Sequence, residues 1–238
     1  MTDNTVEIEN VTKRYAEHVA VNNLTLRVPK GSVYGLLGPN GAGKTTTIRM
    51  ILNIIAPDQG AIRILGVPFN DPGITDRIGY LGLSHGGEMA FKISSEYDGL
   101  KCMIAVEPAA GEYLGVGPRP AGSPRPPETR MDVTQQMMDT ELAETRARTN
   151  MTIAKERIGR IKTPILVIGR VNDDNEPQFR LAYEIGKEMG KPFEWKQYSH
   201  AEHGFIFVTK NKAGVYAPDP TQRQIVADTI THFNGCLK

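Results

Sequence analysis

Ser84 lies in Gly82-Leu83-Ser84-His85-Gly86-Gly87, a Gly-x-Ser-x-Gly-Gly pattern that suits a sharp strand-to-helix turn with an exposed hydroxyl. Downstream, TPILVIGRVNDDNEPQF carries Asp173 and Asp174 on a loop between an apolar run and a Pro-opened helix. After one more strand pattern, FEWKQYSHAEHGF supplies His200 and His203. A hydroxyl, a carboxylate and an imidazole in this order fit acyl transfer. His203 takes the proton from Ser84, and Asp173 fixes the tautomer of the imidazole and stabilises its charged form. Asp174 is the fallback for the acid and His200 the competitor for the base. Each has a plainer role open to it, the acids as a helix cap and either histidine as a solvated loop residue. A second chemistry stands upstream. Gly38-Pro39-Asn40-Gly41-Ala42-Gly43-Lys44-Thr45 fits Gly-x-x-x-x-Gly-Lys-Thr, whose backbone N–H groups converge on phosphate oxygens at a helix N-terminus. Lys44 would reach the outer phosphates, and the Thr45 hydroxyl would bind magnesium when a nucleotide is present.

These groups need strands and helices to hold them. Residues 6–8 and 24–28 alternate apolar with polar, as half-buried strands do, and residues 32–37 and 61–65 are further strand candidates. Ile48, Ile51, Leu52 and Ile55 predict a helix over residues 45–55, stopped by Pro57. Residues 86–97 predict a helix and 100–106 a buried strand. Residues 108–127, with six prolines and four glycines, predict a loop or lid. Residues 132–160 predict one long polar helical region. A strand over 165–168, a helix over 177–189, a strand over 193–198 and a helix over 222–233 complete the pattern. Such alternation on both sides of residue 82 predicts an α/β fold with a mainly parallel, doubly wound sheet and helices on both faces.

Composition narrows the function classes. The 238 residues include 28 basic and 27 acidic side chains, so no net field draws the chain to nucleic acid or to an anionic membrane. No apolar run is long enough to span a bilayer, and the polar first ten residues carry no signal-peptide pattern. A cytoplasmic setting is expected, with Cys102 and Cys236 as buried, reduced thiols.

The segment VTKRYAEHVAVNNLTLRVPKGSVYGLLGPNGAGKTTTIRMILNIIAPDQGAIRILG resembles the opening third of an ATP-binding-cassette (ABC) transporter ATP-binding subunit, a likeness that runs over residues 6–81. The resemblance implies that Tyr15 stacks on adenine, and that Asn40, Gly41, Ala42, Gly43, Lys44, Thr45 and Thr46 hold phosphates and magnesium. After Arg77-Ile78-Gly79-Tyr80-Leu81 the family continues into a magnesium-sensing glutamine loop and a helical subdomain, neither of which follows here. Leu83-Ser84-His85-Gly86-Gly87-Glu88 is superficially similar to the family signature Leu-Ser-Gly-Gly-Gln, but it follows Lys44 too closely for that subdomain to intervene. In Cys102-Met103-Ile104-Ala105-Val106-Glu107-Pro108, Val106 stands where the family's strand supplies a metal-binding aspartate. No downstream histidine stands where the family has its switch residue. The implied activity of this part is nucleotide binding without efficient hydrolysis.

Residues 79–238 resemble the C-terminal part of an α/β-hydrolase, most similar to prolyl-oligopeptidase-like and dienelactone-hydrolase-like enzymes, through Gly-Leu-Ser-His-Gly-Gly, Asp-Asp-Asn-x-Pro-Gln and His-Gly-Phe. The resemblance implies a serine hydrolase of esters or short peptides that works through an acyl-enzyme and needs no cofactor. It lacks the strands that precede the serine turn, so only the His85 N–H is assigned to an oxyanion hole. The chain is therefore expected to be a composite. A P-loop fragment over residues 1–81 joins an α/β-hydrolase C-terminal part over residues 82–238, and the two share one continuous sheet. A small ester or peptide is the expected substrate, and ATP or ADP the expected second ligand.

Overall fold

The computed structural model describes residues 3–32, 34, 36, 39, 41–121, 134–171, 173–207 and 213–237. They fall into two compact units, Met1–Ile78 and Gly79–Lys238.

In the first unit, β1 (Asn4–Tyr15) and β2 (His18–Pro29) form a hairpin, and β3 (Gln59–Ile64) pairs on the other side of β1, followed by β4 (Val67–Pro68). All three pairings are antiparallel. The two-residue connection between β1 and β2 permits no other sense, since parallel strands need a long crossover. Alternation places Ile8, Val11, Val21, Ile62 and Ile64 in one apolar core, and α1 (Lys44–Ile51) adds Met50 to it. The helix predicted over residues 45–55 ends earlier than Pro57 requires. Asn53 adopts a left-handed backbone (φ 55°), and the Asn53 and Ile54 N–H groups bond back to the carbonyls of Met50 and Arg49. Of the strand expected over 32–37, Ser32, Tyr34 and Leu36 lie outside any strand, and the remainder lies outside the described residues.

The second unit holds a parallel sheet in the order β5 (Gly79–Leu83), β6 (Cys102–Val106), β7 (Ile165–Arg170), β8 (Phe193–Tyr198). The strands are near-continuous apolar runs because both faces are covered. Phe91 of α2 (His85–Glu96) packs on Phe193, and Phe179 of α6 (Glu176–Glu188) packs on Trp195, which places both helices on one face. On the opposite face, Ile225 and Phe233 of α7 (Pro220–Cys236) cover Ile104, Val106, Leu166 and Ile168. The region expected as a loop or lid contains α3 (Gly111–Leu114), while its residues 122–127 lie outside the described residues. The long helical region divides into α4 (Gln135–Arg148) and α5 (Met151–Arg160). Thr149 and Asn150 make the break, because the Asn150 side chain accepts from the Ile153 N–H and restarts the helix.

Two expectations are corrected. Among the described residues the strands form two separate four-stranded sheets, not one continuous sheet, and the parallel arrangement belongs to the second. β2 and β3 already pair both sides of β1, so a hybrid sheet cannot grow through that strand. Cys102 and Cys236 are not separate thiols. They are disulfide-bonded, with Cα atoms 5.6 Å apart, because α7 returns across β6 at the end of the chain.

Candidate functional site

The register of the parallel sheet brings the C-terminal ends of all four strands level, with Leu83 beside Val106, Val106 beside Ile168, and Arg170 beside Tyr198. Loops leaving these ends carry Ser84, Glu107, Asp173 and His203. Clefts at this edge are where open α/β sheets bind ligands.

Ser84 joins β5 directly to α2 and holds φ 55°, ψ −115°, a backbone state that non-glycine residues rarely adopt. Three backbone bonds hold it there: Ser84 N–H to Val106 O (2.9 Å), and the N–H groups of Glu88 (3.0 Å) and Ala109 (3.1 Å) to Ser84 O. The glycines explain why the turn can be this tight. A Cβ on Gly82 would lie 2.1 Å from Gly86 O, and one on Gly87 would lie 2.9 Å from Pro108 Cβ. Tyr80 Oη donates to Gly86 O at 2.9 Å and braces the turn from the strand side. His85 opens α2, so its N–H has no partner within the helix; its side chain points to solvent, 89% exposed.

Asp173 is completely buried, whereas Asp174 is exposed. The Asp173 carboxylate accepts from the Asn175 N–H (2.8 Å) and the Arg170 guanidinium (2.8 Å), and its Oδ2 lies 3.2 Å from His203 Nδ1. Of the two histidines, His200 is engaged elsewhere. Its Nε2 meets Asp219 at 3.1 Å, its Nδ1 accepts from the Glu202 N–H, and its ring stacks on Phe205. Gly204, next to His203, comes so close to Leu83, next to Ser84, that an added Cβ would meet Leu83 Cδ2 at 3.0 Å. The structure thus brings Ser84, Asp173 and His203 to one edge. Among the described residues, no hydrogen bond joins Ser84 to His203.

Glu107 and Arg170 were not expected at this site. Glu107, fully buried after β6 with φ 43°, accepts from Arg170 Nε (3.0 Å) and from the Gly204 N–H (2.6 Å), and its Oε2 lies 3.4 Å from His203 Nδ1. Arg170 is 2% exposed and bridges both carboxyls. Burial pushes the Glu107 carboxyl above its ordinary range, the Gly204 N–H opposes this, and the charge of Asp173 adds to the rise. For Asp173 burial acts in the same upward sense, but the Asn175 N–H, Glu107, His203 and the Arg170 charge outweigh it and hold the acid below its ordinary value. Two neighbouring carboxyls pushed in opposite directions leave Asp173 as the charged partner of His203. A charged residue at the end of an apolar strand (Arg170) or directly after one (Glu107) was the available signal for the two missed residues. Their partners, 63 and 97 positions away in sequence, were not legible.

In the first unit, Tyr15, His18 and residues 41–46 line a cavity of about 310 Å³. Gly43 caps α1 with φ 79°, in a position where a Cβ would meet Ala20 O at 2.3 Å. Lys44 Nζ donates to Pro39 O at 2.7 Å, and Thr47 Oγ1 donates to Gly43 O at 3.0 Å. Tyr15 is 45% exposed, with the Lys13 ammonium 5.7 Å from its ring centre. Thr45 is open to solvent and Thr46 half-buried, while Asn40 lies outside the described residues. None of the described residues lining this cavity is acidic, which suits an anion. The loop and the open Thr45 hydroxyl fit a phosphate chain with its magnesium.

These features define an α/β chain with a Gly-x-x-x-x-Gly-Lys-Thr loop ahead of a helix. The chain belongs to the ABC transporter family, whose sequence model matches residues 21–161 and so extends past residue 81. It is 48% identical over 66 residues to the bacitracin transport ATP-binding protein BcrA of Enterococcus faecalis, covering 28% of this chain and 21% of that protein. It is 52% identical over 68 residues to the Nod factor export ATP-binding protein I of Paraburkholderia xenovorans, covering 29% and 22%. The chain therefore spans about a fifth of the length of these curated relatives. Among solved structures it is similar to the Pyrococcus horikoshii acylaminoacyl peptidase, at 18% identity and a TM-score of 0.43, over 69% of this chain and 25% of that one. No helix among the described residues is long and apolar enough to cross a membrane.

Proposed function

We propose that the second unit is a serine hydrolase of esters or short peptides. The observation that carries this is the fully buried Asp173 carboxylate, 3.2 Å from His203 Nδ1, at the strand edge where Ser84 occupies its forced turn. With Nδ1 turned to Asp173, Nε2 is the nitrogen that serves Ser84. The Ser84 Oγ proton passes to Nε2 as Oγ bonds to the acyl carbon, and the same proton then leaves with the alcohol or amine. Water, deprotonated by His203, releases the acid and restores Ser84. The His85 N–H stabilises the developing oxyanion. In this mechanism the Ser84–His203 hydrogen bond forms when substrate binds, as is common for catalytic contacts. Reaction with a fluorophosphonate probe tests this: labelling is expected on Ser84 and is lost in Ser84→Ala. Folded protein that takes no label, or label retained in Ser84→Ala, would overturn the proposal.

The first unit supports a second, independent activity: binding ATP or ADP with magnesium, without efficient hydrolysis. The favouring observation is the cavity that joins Tyr15 to residues 41–46. Tyr15 offers its face to the purine, Gly41, Ala42 and Gly43 offer backbone N–H groups, Lys44 neutralises the outer phosphates, and Thr45 and Thr46 hold the metal-bearing end. Magnesium bound with the nucleotide would supply charge neutralisation. Hydrolysis is not expected, because Val106 stands in the aspartate position and Glu107 is bound to Arg170 and Gly204. A titration with labelled ATP should saturate for the parent chain and fail for Lys44→Ala, with fluorophosphonate labelling unchanged. A parent chain that shows no saturable binding would overturn this activity, and equal binding by both proteins would overturn its placement at the loop.

A further inference from the structure

On α7, His232 and Cys236 stand one helical turn apart, and Cys102 meets them from β6. One donor atom from each of the three lies within 4.8 Å of the others. Their closeness is imposed by packing, since Ile225 and Phe233 hold α7 on Ile104 and Leu166 in the same cluster. The two sulfurs are joined here as a disulfide. Reduced, the same three residues present two thiolates and an imidazole, a donor set that suits a tetrahedral ion of the zinc type.

The surroundings match that use. His232 Nε2 lies 3.1 Å from the Met103 carbonyl, which can only accept, so Nε2 carries the proton and the Nδ1 lone pair is left for a metal. A backbone carbonyl that fixes the far nitrogen is the usual support of a metal-binding imidazole. Glu194 Oε2 stands 3.9 Å from Nδ1, in reach of a fourth position. A cavity of about 290 Å³ bordered by His232, Cys236 and Glu194 gives access. The cation at its wall, Lys196, is already paired with Asp228 at 2.7 Å.

We infer that the reduced protein binds one zinc-type divalent ion through the Cys102 and Cys236 thiolates and His232, with Glu194 completing the set. Reduction of the disulfide by a dithiol or phosphine adds two electrons and two protons. Metal binding then expels the two thiol protons as the two metal–sulfur bonds form. Thiol–disulfide exchange with a small-molecule disulfide reverses this: the added disulfide takes the two electrons and leaves as two thiolates, the Cys102–Cys236 bond re-forms and the ion is freed, so the site holds either the disulfide or the metal.

Cobalt(II) titration of the full chain tests the site. The protein is first reduced with a phosphine, and two free thiols are confirmed by a thiol-reactive dye. One equivalent of cobalt should produce thiolate-to-cobalt absorption in the near ultraviolet together with visible tetrahedral bands, and zinc should displace both. All of this absorption should be lost in Cys102→Ser, in Cys236→Ser and after reoxidation. Cys236→Ser lies at the last residue of α7 and guards against misfolding of the buried Cys102 variant. His232→Phe should lose the tetrahedral bands. A reduced, folded protein without thiolate–cobalt absorption overturns the inference, as does absorption that survives Cys236→Ser. A disulfide that stays closed in excess phosphine while the chain remains folded also overturns it.

Discussion

The two units handle polar groups in opposite ways. In the first, the candidate site is an open cavity along the backbone loop 41–46 beside Tyr15 and His18, and its Lys44 side chain stays in contact with solvent. In the second, Glu107, Arg170 and Asp173 are withdrawn from water entirely and compensate one another, with His203 at the partly exposed margin. An open backbone site depends on local conformation, so its weak points are the glycines. A buried ionic site depends on every member being present, because removing one strands the rest in a poor solvent for charge.

The contrast is sharpest in Asp173→Asn. The amide cannot hold the His203 tautomer as the carboxylate does, and turnover of an activated ester should fall by about 10⁴-fold. Nucleotide affinity should not change. A loss of less than about tenfold would remove Asp173 from the proposed machinery, as measured by steady-state kinetics on variant and parent. Next in size is Arg170→Met, which leaves two buried carboxyls without their cation. Urea unfolding followed by circular dichroism should place this variant about 3–5 kcal/mol below the parent. A cost under about 1 kcal/mol would mean that the buried network behaves like a surface ion pair.

In the first unit the corresponding vulnerability is Gly43→Ala. A methyl group there meets Ala20 O at 2.3 Å in a left-handed backbone, and about 1–3 kcal/mol of strain is expected, with weakened ATP binding. An alanine variant with parental affinity in the same titration would show that the loop does not need that conformation. The smallest effect is the pH dependence. Asp173 is held below its ordinary pKa, so its contribution to stability is present above the unfolded value of about 4 and is lost as pH falls through the folded value. Glu107 has the opposite sign: its raised pKa favours folding at low pH, and that contribution is lost as pH rises through the raised value. Unfolding free energies measured from pH 3 to 7 should therefore show an acid-side slope that flattens in Asp173→Asn. An unchanged slope would assign the acid sensitivity to other groups.

Much of this molecule was legible in the order of its residues. Local patterns gave the strands of the parallel sheet, the tight turn at Ser84 and the loop ahead of α1, and put Asp173 and His203 on loops after successive strands, because turns, caps and alternation involve neighbours only a few positions apart. What only the tertiary structure decided depends on contacts between distant positions. β2 and β3 took both sides of β1, and two sheets formed instead of one. Asn53 ended α1 before Pro57 could, and the return of α7 joined Cys102 to Cys236. Glu107 and Arg170 became partners of Asp173 and His203 in the same way. A charge acquires a role of that kind only when folding removes its water and supplies a counter-charge, and neither change is written in the sequence near it.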